Sequence, residues 1–120
     1  MDSTAARGSR FEALAGRYLR KKGYRLVEQN FRLGHKEIDI IAHDGETVVF
    51  VEVKGRTSKE FGLPAESVSR RKMRHIVKAA EAYLSRRKLW NRPCRFDVVC
   101  VTLVGNREVE FDHILNAFEA

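Results

Sequence analysis

Apolar residues recur at helical spacing near the start of the chain, where Phe11, Leu14, Ala15, Tyr18 and Leu19 form a single stripe that Gly23 stops. The start of this helix is open. Ser9-x-x-Glu12 matches a capping box, whereas a start near Thr4 makes Glu12 an interior carboxylate one turn before Ala15 and Gly16. From Tyr24 the pattern changes to that of strands: Tyr24 to Arg32, Glu37 to Ala42 and Thr47 to Lys54 are rich in Ile, Val and Phe. Gly55 to Ser69, with Gly62 and Pro64, reads as a loop.

Helical spacing returns at Met73, Ile76, Val77, Ala80, Tyr83 and Leu84, and Asn91-Arg92-Pro93 breaks it. Arg95 to Leu103 is a fourth strand and Val109 to Phe111 a short fifth. A short helix from about His113 to Ala117 is expected to close the chain. These elements predict an α/β fold: a single domain over residues 1–120, with a central mixed β-sheet of about five strands flanked by helices.

Between strands two and three stands Asp44-Gly45, a hairpin signal. With these two residues as the turn, His43 pairs with Glu46, Ile41 with Val48, Asp39 with Phe50 and Glu37 with Glu52. Glu37, Asp39, Glu52 and Lys54 then share one face, because side chains alternate with a period of two. Asp39 and Glu52 become diagonal neighbours, with Cβ atoms roughly 7 Å apart. Opposed carboxylates repel unless a cation sits between them, so the face suits a hard divalent ion such as Mg²⁺. The plainer alternative is a solvated face on which Lys54 neutralises Glu52. Against it, Val48 and Phe50 lie on the same face and need cover.

Composition narrows the class. The 120 residues carry a formal charge of +7, with cations clustered at Arg70, Arg71, Lys72, Arg74 and Lys78, at Arg86, Arg87 and Lys88, and at Arg17, Arg20, Lys21 and Lys22. Such a surface attracts phosphate polymers by releasing their counterions. No apolar run is long enough to span a membrane and the N-terminus lacks a signal-peptide core, so a cytoplasmic protein without a membrane partner is expected. Cys94 and Cys100 read as free thiols. Asp97 beside Arg95 is expected to form an internal ion pair. His35, His43 and His75 have no metal-ligand partner at a telling spacing. Trp90 is expected to pack at a helix end, although an aromatic beside Arg92 could also stack on a base.

Asp39 followed by Glu52-Val53-Lys54 at the end of an apolar strand, with a glutamate on the preceding helix, resembles the PD-(D/E)xK nuclease core of type II restriction enzymes and archaeal Holliday-junction resolvases. The whole chain is similar to the small bacterial YraN proteins of that superfamily. The likeness lies in Glu12 with Ala15 and Tyr18-Leu19, Gly23-Tyr24, Asn30, Glu37 to Ala42, Val49 to Lys54 with Arg56, Phe61-Gly62 with Pro64, Lys72, Arg95 to Val99 and Asn116 to Phe118. Two departures stand out. Lys36 precedes Glu37 where the family usually has glycine, and Ile38 replaces the superfamily's proline.

The resemblance implies a restriction endonuclease-like αβββαβ core and a Mg²⁺- or Mn²⁺-dependent nuclease acting on DNA. Its metal ligands would be Asp39, Glu52 and the carbonyl of Val53, with Glu12 and Glu37 completing the site. Lys54 would orient the attacking water or stabilise the transition state. Lys36, Arg56, Arg71 and Lys72 are candidate phosphate contacts. Cutting a branched junction would call for a two-fold homodimer. The alternative is a nucleic-acid-binding partner in DNA repair, recombination or uptake that keeps the nuclease fold without turnover.

Overall fold

In a computed structural model, which describes residues 4–57, 68–106 and 108–120, the chain runs α1 (Thr4–Lys21), β1 (Arg25–Leu33), β2 (Lys36–Asp44), β3 (Thr47–Thr57), α2 (Arg70–Arg86), β4 (Cys94–Val104) and β5 (Glu108–Phe118). The five strands form one sheet in chain order. Only β3 and β4 pair in parallel, through the α2 crossover; the other neighbours are antiparallel.

Two apolar layers follow from strand alternation. Ile40, Ala42, Val49, Val51, Val99 and Val101 pack with Phe11, Ala15 and Leu19 of α1. Ile38, Ile41, Val48, Phe50 and Phe96 pack with Ile76, Ala79, Ala80 and Tyr83 of α2. The helices therefore cover opposite faces. Beginning at Thr4, α1 makes Glu12 an interior residue and removes the capping-box alternative at Ser9. Ser69 caps α2, its hydroxyl accepting from the Lys72 amide at 3.1 Å.

Three expectations change. The hairpin turn is Gly45-Glu46, with Asp44 paired to Thr47 and Ile41 to Phe50. Gly45 takes the first turn position at a φ of 62°, where a type II′ hairpin places a glycine. Asp44 stays in the strand, and its carboxylate lies 3.5 Å from Arg95. At the C-terminus, the expected short helix is instead the second half of β5. Asp97 explains this: its buried carboxylate accepts from the Asn116 amide at 2.9 Å and from His113 Nε2 at 2.8 Å, fastening the segment to β4 across a register break. Trp90, finally, is 66% exposed and does not pack at the helix end.

The expected loop begins later than Gly55, because β3 continues to Thr57. Its Gly62 and Pro64, like Phe61, fall outside the described residues. Cys94 and Cys100 are both free. No helix among the described residues is long and apolar enough to cross a membrane.

Candidate metal centre

The β2–β3 ladder ends at Ile40 and Val51. Continued in the same register it would set Asp39 level with Glu52, two places from the expected partner Phe50. A two-residue slip leaves every side chain on its own face, so the neighbourhood of Asp39 and Glu52 survives it. Beyond the last pair, the Val53 amide donates to Asp39 Oδ2 at 2.8 Å. A side chain thus takes a backbone donor at the point where the strands stop pairing.

The alternation of β2 also breaks here. Ile38 and Ile41 both face α2 while Ile40 faces α1, which leaves Asp39 at the seam between the layers. On the α1 side, Glu12, Glu37 and Asp39 bring carboxylate oxygens within 4.8 Å of one another. On the α2 side, Glu52 is 4% exposed and meets Lys54 at 3.7 Å and Lys72 at 3.8 Å. Asp39 adjoins both groups. The expectation that Glu37, Asp39, Glu52 and Lys54 share one face is corrected accordingly. Glu37 lies opposite Arg32 of β1, 3.8 Å from its guanidinium, and not opposite Glu52.

Asn30 is the residue of this cluster that strand patterning missed. It stands level with Asp39, between the Gln29–Ile40 and Phe31–Ile38 pairs, at a φ of 53° that asparagine tolerates better than most residues. With its amide turned so that nitrogen faces the surrounding acceptors, Asn30 donates to Glu37 at 2.9 Å and to both oxygens of Glu12 at 3.2 Å. The pairing of an asparagine with carboxylates from α1 and β2 has no local sequence signature. These residues open on a cavity of about 290 Å³ lined by Gly8, Ser9, Glu12, Asn30, Arg32 and Glu37.

The helix bearing Glu12 is seated by Gly55. A Cβ there would overlap the Phe11 ring, so the glycine after Lys54 lets α1 lie directly on β3.

Electrostatics make the site uncomfortable without a cation. Burial and the adjacent Asp39 push the Glu12 carboxyl up to about 7, against the pull of the Asn30 hydrogen bond. Burial and Asp39 push Glu52 up to about 8, although Lys72 and Lys54 act in the opposite sense. Oε1 of Glu52 is buried with no hydrogen-bond partner among the described residues. Converging carboxylates, two of them held above the ordinary range and one with an orphaned oxygen, match the donor set of a hard divalent ion.

Of the expected phosphate contacts, Lys72 reaches Glu52, while Lys36 and Arg71 lie with Lys72 around His75, whose ring meets His35 at 5.1 Å. Arg56 points elsewhere, donating to Thr102 Oγ1 at 3.0 Å and lying 3.8 Å from Asp112. Asp97 forms the expected ion pair with Arg95 at 2.9 Å, and Arg95 donates in turn to the Tyr24 hydroxyl at 2.6 Å.

The model of the uncharacterised protein family UPF0102 matches residues 11–101. This chain belongs to the UPF0102 family. A UPF0102 protein of Geobacter sulfurreducens is 44% identical over 112 residues, which is 93% of this chain and 88% of the relative. Another from Chlorobium chlorochromatii is 43% identical over 98% of this chain and 94% of its own length. Among solved structures, the Holliday junction resolvase Hjc of Archaeoglobus fulgidus superposes with a TM-score of 0.50 at 21% identity, covering 88% of this chain and 70% of that one. At that identity the likeness concerns the fold, and it bears out the restriction endonuclease-like architecture of this UPF0102 chain. Its family matches the YraN resemblance of the sequence.

Proposed function

We propose that this UPF0102 protein is a Mg²⁺- or Mn²⁺-dependent nuclease that hydrolyses phosphodiester bonds in DNA. The observation that carries the proposal is the seam at Asp39, where carboxylates from α1, β2 and β3 converge beside Lys54. Asp39, Glu52 and the Val53 carbonyl would hold the ion, with Glu12 and Glu37 completing its shell directly or through water. The chemistry such an ion would supply, when bound, is Lewis-acid polarisation of the scissile phosphate and activation of water near neutral pH.

The chain's own groups do the rest. Asn30 holds Glu12 and Glu37 together, and the Val53 amide fixes the Asp39 carboxylate. Lys54, on the solvent side of Glu52, directs its ammonium at the attacking water or at charge building on the phosphate. Lys36, Arg71 and Lys72 supply cations for flanking phosphates. The fold-level likeness to a junction resolvase puts branched DNA among the substrates to test. Action on both strands of a junction would require a two-fold dimer.

The test is a panel of single-stranded, duplex, flap and four-way-junction DNA with Mg²⁺, Mn²⁺ or EDTA. Cleavage is expected with metal and not with EDTA. Asp39→Asn, Glu52→Gln and Lys54→Ala should each lower it by about 10²-fold or more while DNA binding persists. Absence of cutting across the panel, or activity that survives in Glu52→Gln, would sink the proposal.

A further inference from the structure

The chain's only tryptophan stands at the opposite end of α2 from Glu52. Trp90 is 66% exposed, yet the turn that carries it is well hydrogen-bonded. The Leu89 amide donates to Leu84 at 2.8 Å, the Arg92 amide to Leu89 at 3.0 Å and the Val48 amide to Pro93 at 2.9 Å. Lys88, at a φ of 57°, occupies the left-handed position after a helix that glycine fills at least cost. The indole is therefore held out from the body by a defined turn.

Its surroundings are cationic. Arg86 and Arg87 lean back on the protein, over the rings of Phe31 and Tyr83, and Arg87 also meets Glu28 at 3.4 Å. Lys88 and Arg92 form no ion pair among the described residues and stand two residues to either side of Trp90 in the chain. Arg71, Arg74 and Lys78 follow one another at helical spacing on the outward side of the first half of α2, opposite Ile76, Ala79, Ala80 and Tyr83; Glu81 comes next on that side, and Lys88 lies beyond the helix end. From Lys72, which meets Glu52, to its last residue Arg86, α2 spans about 21 Å at 1.5 Å per residue.

We propose that Trp90, with Lys88 and Arg92 two residues to either side of it, is a base-stacking platform for an unpaired nucleotide of a nucleic-acid strand that also reaches the carboxylate centre at the other end of α2. The inference rests on the nuclease reading for its partner class alone, and binding is separable from cleavage. A single strand fits better than a duplex, because bases within a duplex hide the faces that an indole needs. It also fits better than a protein partner: one exposed aromatic in a basic stretch of chain lacks the apolar core of a protein interface.

Because Trp90 is the sole tryptophan, its fluorescence reports directly on the platform. Wild-type protein in EDTA, where nothing is cut, is titrated with an oligothymidylate of roughly 15 nucleotides, long enough to span both points. Emission should be quenched as the oligonucleotide binds. Trp90→Ala should weaken binding, followed by anisotropy of a labelled oligonucleotide, by roughly 5- to 150-fold with an unchanged Tm, and Trp90→Phe should recover most of it. The Lys88→Ala, Arg92→Ala double variant should reduce the salt slope of log K by about 1.4.

Binding with no change in emission, or unaltered affinity in Trp90→Ala, overturns the platform. Equal quenching by a blunt duplex overturns its preference for unpaired bases. Quenching without cleavage in the metal panel removes the nuclease reading and leaves the platform standing, whereas failure of every oligonucleotide to bind removes both.

Discussion

Glu52 shows at the scale of one residue what converging buried carboxylates cost the fold. The ordinary carboxyl value is 4.5 and Glu52 is pushed up to about 8. Between those values the unfolded chain has released a proton that the folded protein keeps, so this group makes stability without metal fall as pH rises through that window. The buried Oε1, without a hydrogen-bond partner among the described residues, acts in the same direction. Glu52→Gln is therefore expected to melt at least about 2 °C higher than wild type at pH 8 in EDTA, with a flatter pH dependence, while losing cleavage. A lower Tm in that variant would contradict the account. Asn30 presents the opposite case, since its amide quiets the repulsion between Glu12 and Glu37. Asn30→Ala should cost about 2 kcal/mol by urea denaturation, from hydrogen bonds to charged groups and a strained φ.

At the scale of elements, both helices and the first four strands were legible because periods of 3.6 and 2 are local properties. The hairpin slipped by two places because the expected turn was Asp-Gly, whereas the chain puts Gly45 first and lends Asp44 to Arg95. The extent of β5 was hidden for a related reason. What keeps residues 113–117 extended is Asp97 on a different strand, together with its bonds to His113 and Asn116. The carboxylate pattern Asp39, Glu52, Lys54 could be read, but the seam could not, since it depends on Asn30, Val53 and the end of a ladder.

Two predictions belong to this scale. Although burial pushes Asp97 up, bonds from His113, Arg95 and the Asn116 amide hold it below its ordinary 3.8. Its contribution to stability is thus complete above that value and lost as pH falls through the lower folded value. Asp97→Asn should cost about 3–5 kcal/mol near neutral pH and remove part of the acid dependence, as denaturant titrations across pH would show. Gly55→Ala, which drives a methyl into Phe11, should cost about 1–3 kcal/mol and lift α1 from β3. Because Glu12 rides on that helix, cleavage should fall more than stability alone explains when both are measured at a temperature where the variant is fully folded.

For the molecule as a whole, the predicted α/β architecture agrees with the five-stranded sheet, its two helices and the resolvase-like fold. A resident ion should act as a global clamp. Mn²⁺ at about 100 times its Kd should add about 2.7 kcal/mol to unfolding, a gain that Asp39→Asn abolishes when Tm is followed against metal concentration. The order of strands in the sheet carries one more consequence, for the route by which the chain folds. Every strand lies beside its neighbour in sequence, so most sheet contacts close short loops. The pairing of β3 with β4 alone waits for a long crossover. The carboxylates of the seam belong to the part that can zip up locally, from α1 to β3. In stopped-flow refolding, mutations in the β2–β3 hairpin should therefore slow folding, and those in β5 should chiefly speed unfolding.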